Sequence, residues 1–192
     1  MAEKKALIVL APAADLAGGD SIEKLLKKAA LFSSYAAGDV IDAAVAAETV
    51  TALQPADAAA AVENGVALGV IDLGAADSAA LDAALEVILD AADRKTVVAV
   101  AAKNGLALHG AGINAKAGSV ARAASAKDIV PTLAYITDFP ITTDCCGAIL
   151  YQALKSPNMK LDETTKLKEA LIRMEGALAR DNREPWDKHD CA

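Results

Sequence analysis

The first residues that could do chemistry follow an apolar run. Residues 96–101 read T-V-V-A-V-A, and Lys103, Asn104 and Gly105 come next. The absence of polar alternation predicts a strand buried on both faces, and open α/β sheets bind ligands beyond the carboxyl ends of such strands. The Lys103 cation and the Asn104 amide can hold a phosphate or a carboxylate there. The alternative is a plain turn with an exposed lysine.

The second group is a Gly-rich stretch that begins at His109. Gly110 and Gly112 allow backbone N–H groups to approach an anion closely, although the spacing is not that of a P-loop. These glycines can also serve the backbone conformation alone. The sequence therefore predicts a small-anion site at Lys103, Asn104, His109, Gly110 and Gly112.

The third group is made of thiols. Cys145 and Cys146 are adjacent, and Cys191 lies near His189 in a polar tail. An odd number of cysteines argues against a disulfide framework. Adjacent thiols can bind a soft metal or pair with another chain, and with His189 they make a set compatible with zinc. The spacing is not a zinc signature, and a buried cysteine is commonly just a small apolar residue.

A fourth, weaker candidate is acidic. Asp72 and Asp77 flank the loop after an apolar run at 66–73, and Asp15 follows the run at 6–10. Three carboxylates at one sheet edge can hold Mg²⁺. The alternative is that they cap helices and turns.

These candidates have to be positioned by strands and helices that alternate along the chain. Short apolar runs predict buried strands at 6–10, 66–73, 96–101 and 106–109. Helical spacing and capping residues predict helices at 22–34, 55–63, 78–93, 129–137 and 162–180, with a short helix or helical turn at 147–154. This order predicts an α/β fold: one domain over 1–180, a mostly parallel sheet with helices on both faces, and a polar tail at 181–192.

Composition excludes several classes of function. The net charge of −7 opposes binding to nucleic acid or anionic lipid. No apolar run approaches the roughly 20 residues of a membrane span. The N-terminus lacks the form of a signal peptide, so we expect a cytoplasmic protein.

Three segments resemble the core of the alkaline phosphatase superfamily, which includes cofactor-independent phosphoglycerate mutases, phosphopentomutases and sulfatases. Residues 78–101 resemble its helix-then-strand unit, and 109–118 resemble its Gly-rich loop with one residue inserted. Residues 128–133 read D-I-V-P-T-L and are followed by Pro140-Ile141 and by D-C-C-G at 144–147, similar to the family's D-I-x-P-T-L and P-I-P-x-D-x-x-G. The resemblance implies an alkaline phosphatase-like core.

The departures from that family concern its catalyst. The family uses two divalent cations, held by about six Asp and His side chains, to activate a Ser or Thr nucleophile. Where its first strand usually ends in Asp-Gly, this chain has Ala11-Pro12, and where a later strand ends in Asp-His-Gly, it has Lys103-Asn104-Gly105. The chain has only two histidines. We therefore expect no catalytic residues and no cofactor, and a non-catalytic interaction or regulatory subunit that binds a protein partner or its own copy. A small-anion binder and a thiol or zinc protein remain the alternatives.

Overall fold

A computed structural model describes residues 4–181 of the chain. Within these residues the structure has nine strands, seven of them in one principal sheet and two in a small second sheet, and five α-helices. The strands are β1 (Lys5–Ala11), β2 (Ala30–Phe32), β3 (Tyr35–Ala36), β4 (Val50–Ala52), β5 (Leu68–Asp72), β6 (Thr96–Ala102), β7 (Gly105–Gly110), β8 (Gly118–Ser119) and β9 (Ala124–Ser125). The helices are α1 (Asp20–Leu26), α2 (Ala58–Glu63), α3 (Ser78–Ala91), α4 (Ile129–Thr137) and α5 (Met159–Asp181).

The principal sheet has seven strands in the order β4-β5-β1-β6-β7-β2-β8. The first four strands are parallel to one another, β7 is antiparallel to both β6 and β2, and β8 is parallel to β2. The central parallel strands β5, β1 and β6 are the apolar runs without alternation, as expected for strands covered on both faces. The predicted α/β fold with a mostly parallel sheet is confirmed.

Helices cover both faces of the sheet. Alternate residues of β1 separate into two cores: Leu7 and Val9 pack with residues of α1, α2 and α3, whereas Ala6 and Ile8 pack with residues of α4. This division follows from the two-residue period of a strand, in which successive side chains point to opposite faces. The carboxyl ends of β1, β5 and β6 consequently meet at one edge of the sheet.

Two predicted elements differ from the structure. The helix predicted over 22–34 ends at Leu26, and Ala30–Phe32 instead form β2, antiparallel to β7. The completely buried Phe32 lies in this strand. Contact with β7, which is distant in sequence, overrides the helical spacing. The helix or turn predicted over 147–154 is a single 3₁₀ turn at Tyr151–Ala153.

The described residues divide into two compact units, and the division falls between Pro157 and Asn158. The first is the α/β domain, and the second contains α5. The sequence predicts the domain boundary at residue 180, whereas the compact α/β unit ends at Pro157. Residues 182–192 of the predicted tail lie outside the described residues. Among the helices within 4–181, none combines the length and apolar character needed to cross a membrane.

Candidate functional site

Lys103 and Asn104 form the two-residue turn between β6 and β7. The pair Ala102 and Gly105 closes the hairpin. The Lys103 N–H donates to the Ala14 carbonyl over 2.9 Å, and the Asn104 Oδ1 accepts from the Leu16 N–H over 2.8 Å. The turn therefore fixes the loop after β1 against the sheet edge. The Asn104 amide oxygen is thus already used within the chain. The Lys103 side chain is exposed and is the group of this turn that could still attract an anion.

His109 and Gly110 lie at the other end of the same hairpin. His109 is paired with Val98 in the register of β6 and β7, close to the start of β6. At about 3.3 Å per residue, the five residues from Asn104 to His109 span roughly 16 Å. The structure therefore does not bring the two parts of the predicted anion site together.

The surroundings of His109 and its glycines are tightly packed. The His109 Nδ1 lies 3.3 Å from the Lys28 carbonyl, and burial lowers the pKa of the imidazole. Gly110 has φ 98°, and a Cβ at this position would lie 2.3 Å from the Thr96 carbonyl oxygen. A Cβ on Gly112 would lie 2.8 Å from the Ile136 side chain. Close backbone approach therefore explains both glycines without a ligand.

The carboxylates at the sheet edge are used as caps. The Asp72 Oδ1 accepts from the Gly74 N–H at 2.8 Å, and the Asp77 Oδ1 accepts from the Ala80 N–H at 2.9 Å at the start of α3. Such bonds satisfy helix and turn N–H groups that otherwise lack partners. Among residues 4–181, no three His, Cys, Asp or Glu side chains lie together as a metal site would require. Asp15, Asp72 and Asp77 are thus not gathered into one carboxylate cluster within the described residues.

Asp82 has a role that sequence reasoning missed. Its Oδ1 accepts from the N–H groups of Ser21 and Ile22, at 2.9 and 2.8 Å, so that a side chain of α3 caps the first turn of α1. A Cβ on Gly19 would lie 2.3 Å from this carboxylate. The glycine pair before α1 was the only signal in the sequence, and it did not identify the partner.

Asp128 and Thr132 perform a similar task in the D-I-V-P-T-L segment. The Asp128 Oδ2 accepts from the Ser125 N–H at 2.9 Å, and its Oδ1 accepts from the Ala148 N–H at 2.7 Å. The Thr132 hydroxyl donates to the Asp128 carbonyl at 2.6 Å and accepts from the Leu150 N–H at 2.9 Å. The segment that follows the two cysteines is thereby fixed on the start of α4.

Cys145 and Cys146 lie in a small cleft, and neither forms a disulfide. Cys145 is half-buried and Cys146 is exposed, and the cleft is also lined by Lys127, Asp42 and Asp144. Asp42 has φ 37°, an uncommon backbone conformation for a residue other than glycine. Of the predicted zinc set, His189 and Cys191 lie outside the described residues. The cleft therefore brings together two thiols, a lysine and carboxylates.

Of the nine large apolar residues that are exposed within the described part of the chain, six lie on the C-terminal helix α5. Four of them form a row along the helix: Leu167, Leu171, Met174 and Leu178, which are 66, 57, 61 and 59% exposed. Single exposed leucines are ordinary, but a contiguous row of large apolar side chains marks an interaction surface. We call these four residues the α5 stripe.

The comparisons with known proteins add no relative from which a role could be transferred. No family model, curated protein or solved structure is similar to this chain. The functional argument therefore depends on the side chains and their contacts alone.

Proposed function

We propose that this chain is a non-catalytic relative of the alkaline phosphatase superfamily that acts as an interaction or regulatory subunit. The observation that carries the proposal is the use of polar side chains at the carboxyl edge of the parallel strands. Asn104 takes the place of a family metal ligand and accepts a hydrogen bond from the Leu16 N–H. At this edge, the side chain serves to hold the loop after β1.

The charges at the same edge also oppose a dinuclear metal centre. Lys103 stands where the resemblance would place a metal-binding aspartate, and a lysine cation repels a divalent cation. Asp72 and Asp77 each use one carboxylate oxygen to accept a hydrogen bond, from the Gly74 N–H and the Ala80 N–H respectively. The polar groups therefore favour a structural use of the edge.

The α5 stripe supports the other half of the proposal, an interaction role. Apolar area that is removed from water on association stabilises a complex by about 25 cal/mol per Å². Four large side chains in one row supply such area without a polar group among them. The sheet edge and the helix together favour a protein that binds proteins.

The proposal is tested by hydrolysis of p-nitrophenyl phosphate and p-nitrophenyl sulfate in the presence of Mg²⁺, Mn²⁺ or Zn²⁺. We expect no turnover above buffer with any metal. Metal-dependent turnover that Asp15→Asn abolishes and Asp90→Asn retains would overturn the proposal. Asp90 is a suitable control because it is an exposed carboxylate of α3.

A thiol function is the second candidate, and the cleft around Cys145 and Cys146 favours it. The segment that carries both cysteines is held by the bond from the Thr142 N–H to the Ala44 carbonyl and by Asp128. Fixed geometry of this kind suits thiol chemistry or a soft ion. Elemental mass spectrometry with thiol counting on the same sample tests it. Stoichiometric zinc with thiols protected until chelation would move the function to the cysteines, whereas metal-free protein with three titrating thiols would remove zinc.

A further inference from the structure

Helix α5 is long, and its largest apolar side chains are exposed. It spans 23 residues, and the α5 stripe is joined by Leu161 and Ile172 elsewhere on the helix, 64 and 67% exposed. Most helical stability in proteins comes from packing an amphipathic face rather than from intrinsic propensity. A helix with this composition therefore requires a surface that covers the stripe.

The spacing of the α5 stripe is that of a helix–helix seam. Leu167, Leu171, Met174 and Leu178 are separated by four, three and four residues. Steps of four and three average 3.5 residues, the repeat at which apolar side chains of two helices interdigitate. The stripe therefore matches another helix of the same periodicity.

The charges of α5 favour a second copy as that helix. It contains five basic and five acidic residues, whereas the first 157 residues contain 12 basic and 18 acidic ones. A neutral helix is not repelled by its own copy. A strongly acidic or basic partner would gain no net attraction from it.

The residues beside the stripe are self-complementary when two copies run antiparallel. Lys168 and Glu175 flank the stripe on one side, one heptad apart, and Ala170 and Ala177 flank it on the other. An antiparallel pair brings Lys168 of each copy beside Glu175 of the other, so that the favourable contact occurs twice by symmetry. The two alanines on the opposite flank let the helix backbones approach closely.

We infer that a second copy of this chain covers the α5 stripe as an antiparallel helix pair. This inference rests on the proposed interaction function and names its partner. The seam of four large side chains per copy is smaller than a standard interface of about 800 Å² per partner. We therefore expect a dissociation constant on the order of micromolar.

The inference is tested with the full chain by sedimentation velocity over a concentration series. We expect a monomer that converts to a dimer as concentration rises. Leu171→Glu should weaken dimerisation at least tenfold, since it places a charge within the seam. Ile172→Glu is the matched control, because this neighbouring residue is at least as exposed as Leu171 and lies off the stripe, and it should leave the dimer unchanged. Circular dichroism checks that both variants keep the helix.

Charge exchange tests the antiparallel arrangement. Lys168→Glu and Glu175→Lys should each weaken the dimer several-fold, because each places like charges side by side. The double variant should recover the original affinity, because the pair is complementary again. A chain that stays monomeric at all concentrations, or a double variant without recovery, would overturn the inference. The hydrolysis assay is independent of self-association, so a failure of this inference and a failure of the non-catalytic proposal are distinguishable.

Discussion

Asp128 shows how a single carboxylate can define a local structure. It is 9% exposed, and each of its two oxygens accepts a backbone N–H, one from Ser125 and one from Ala148. Hydrogen bonds to a charged group contribute about 1.5–3 kcal/mol each, and an unsatisfied buried donor adds a further cost. The residue therefore matters more for stability than an exposed aspartate of the same segment.

Replacement of this carboxylate tests that role. We expect Asp128→Ala to lower the free energy of unfolding by about 3 kcal/mol, because two backbone donors lose their acceptor. Urea denaturation measures the effect. Asp144→Ala is the control, since Asp144 is exposed in the same segment and should change stability by less than about 0.5 kcal/mol. Equal effects of the two substitutions would contradict the structural role.

His109 should make stability depend on pH. Burial, the largest cause, lowers its pKa below the ordinary value near 6.5, so at mildly acidic pH the unfolded chain binds more protons than the folded one. The contribution of the neutral His109 imidazole to the free energy of unfolding is complete above the pKa that histidine has in the unfolded chain. Stability is then lost as the pH falls through that value towards the lower folded pKa.

We therefore expect the free energy of unfolding to decrease from pH 8 to pH 5 more steeply in the wild type than in His109→Gln. Glutamine is polar and does not titrate, so it removes the proton linkage. Chemical denaturation at several pH values measures the difference between the two chains. Parallel pH profiles would show that His109 does not contribute.

At the scale of elements, the first helix depends on a residue of the third. Asp82 of α3 accepts from two N–H groups in the first turn of α1, and such donors lack partners within a helix. Loss of a capping acceptor typically costs about 1 kcal/mol. The orientation of α1 against α3 therefore depends on this contact as well as on apolar packing.

Asp82→Ala should lower the free energy of unfolding by about 1–2 kcal/mol, because the Ser21 and Ile22 donors lose their cap. Glu86→Ala, one turn further along α3 at an exposed position, is the control and should have little effect. Thermal unfolding followed by circular dichroism compares the two variants. A larger effect at Glu86 would be inconsistent with the capping role.

The sequence predicts elements well where one local pattern decides them. The helix over 129–137 and the strands around β1, β5 and β6 lie close to their predicted places, since unbroken apolar runs and capping residues are local signals. The sequence predicts a helix over Ala30–Phe32, whereas these residues form a strand that pairs with β7, about 75 residues away. The hydrophobic pattern of a short stretch of sequence contains no information about a pairing strand so far along the chain.

The candidate site was harder to predict for the same reason. Lys103, Asn104 and His109 are close in sequence, but Lys103 and Asn104 lie at the turn of the hairpin and His109 lies near the opposite end of β7. The backbone N–H group that an aspartate accepts from is determined only when the whole fold is assembled. The caps by Asp82 and Asp128 therefore could not be read from residue types and spacing.

At the scale of the whole molecule, the α/β unit contains its own cores. Both apolar clusters lie within residues 1–157, and the second compact unit begins at Asn158. A unit with its own core can fold alone. We therefore expect the α/β unit to fold without the C-terminal helix.

A chain that ends at Pro157 should keep the far-ultraviolet signature of the sheet and unfold cooperatively. We expect its denaturation midpoint to match that of the full chain at low protein concentration, where association contributes little. Circular dichroism and urea denaturation make the comparison. A loss of cooperative unfolding would show that the α/β unit requires α5.

The principal sheet ends in very short strands, with three residues in β4 at one edge and two in β8 at the other. An extended segment from another molecule finds few backbone donors and acceptors at either edge. Short edges of this kind protect natural sheets against edge-to-edge aggregation and fibril growth. The fold thus resists polymerising through its strands even when many copies are held close together.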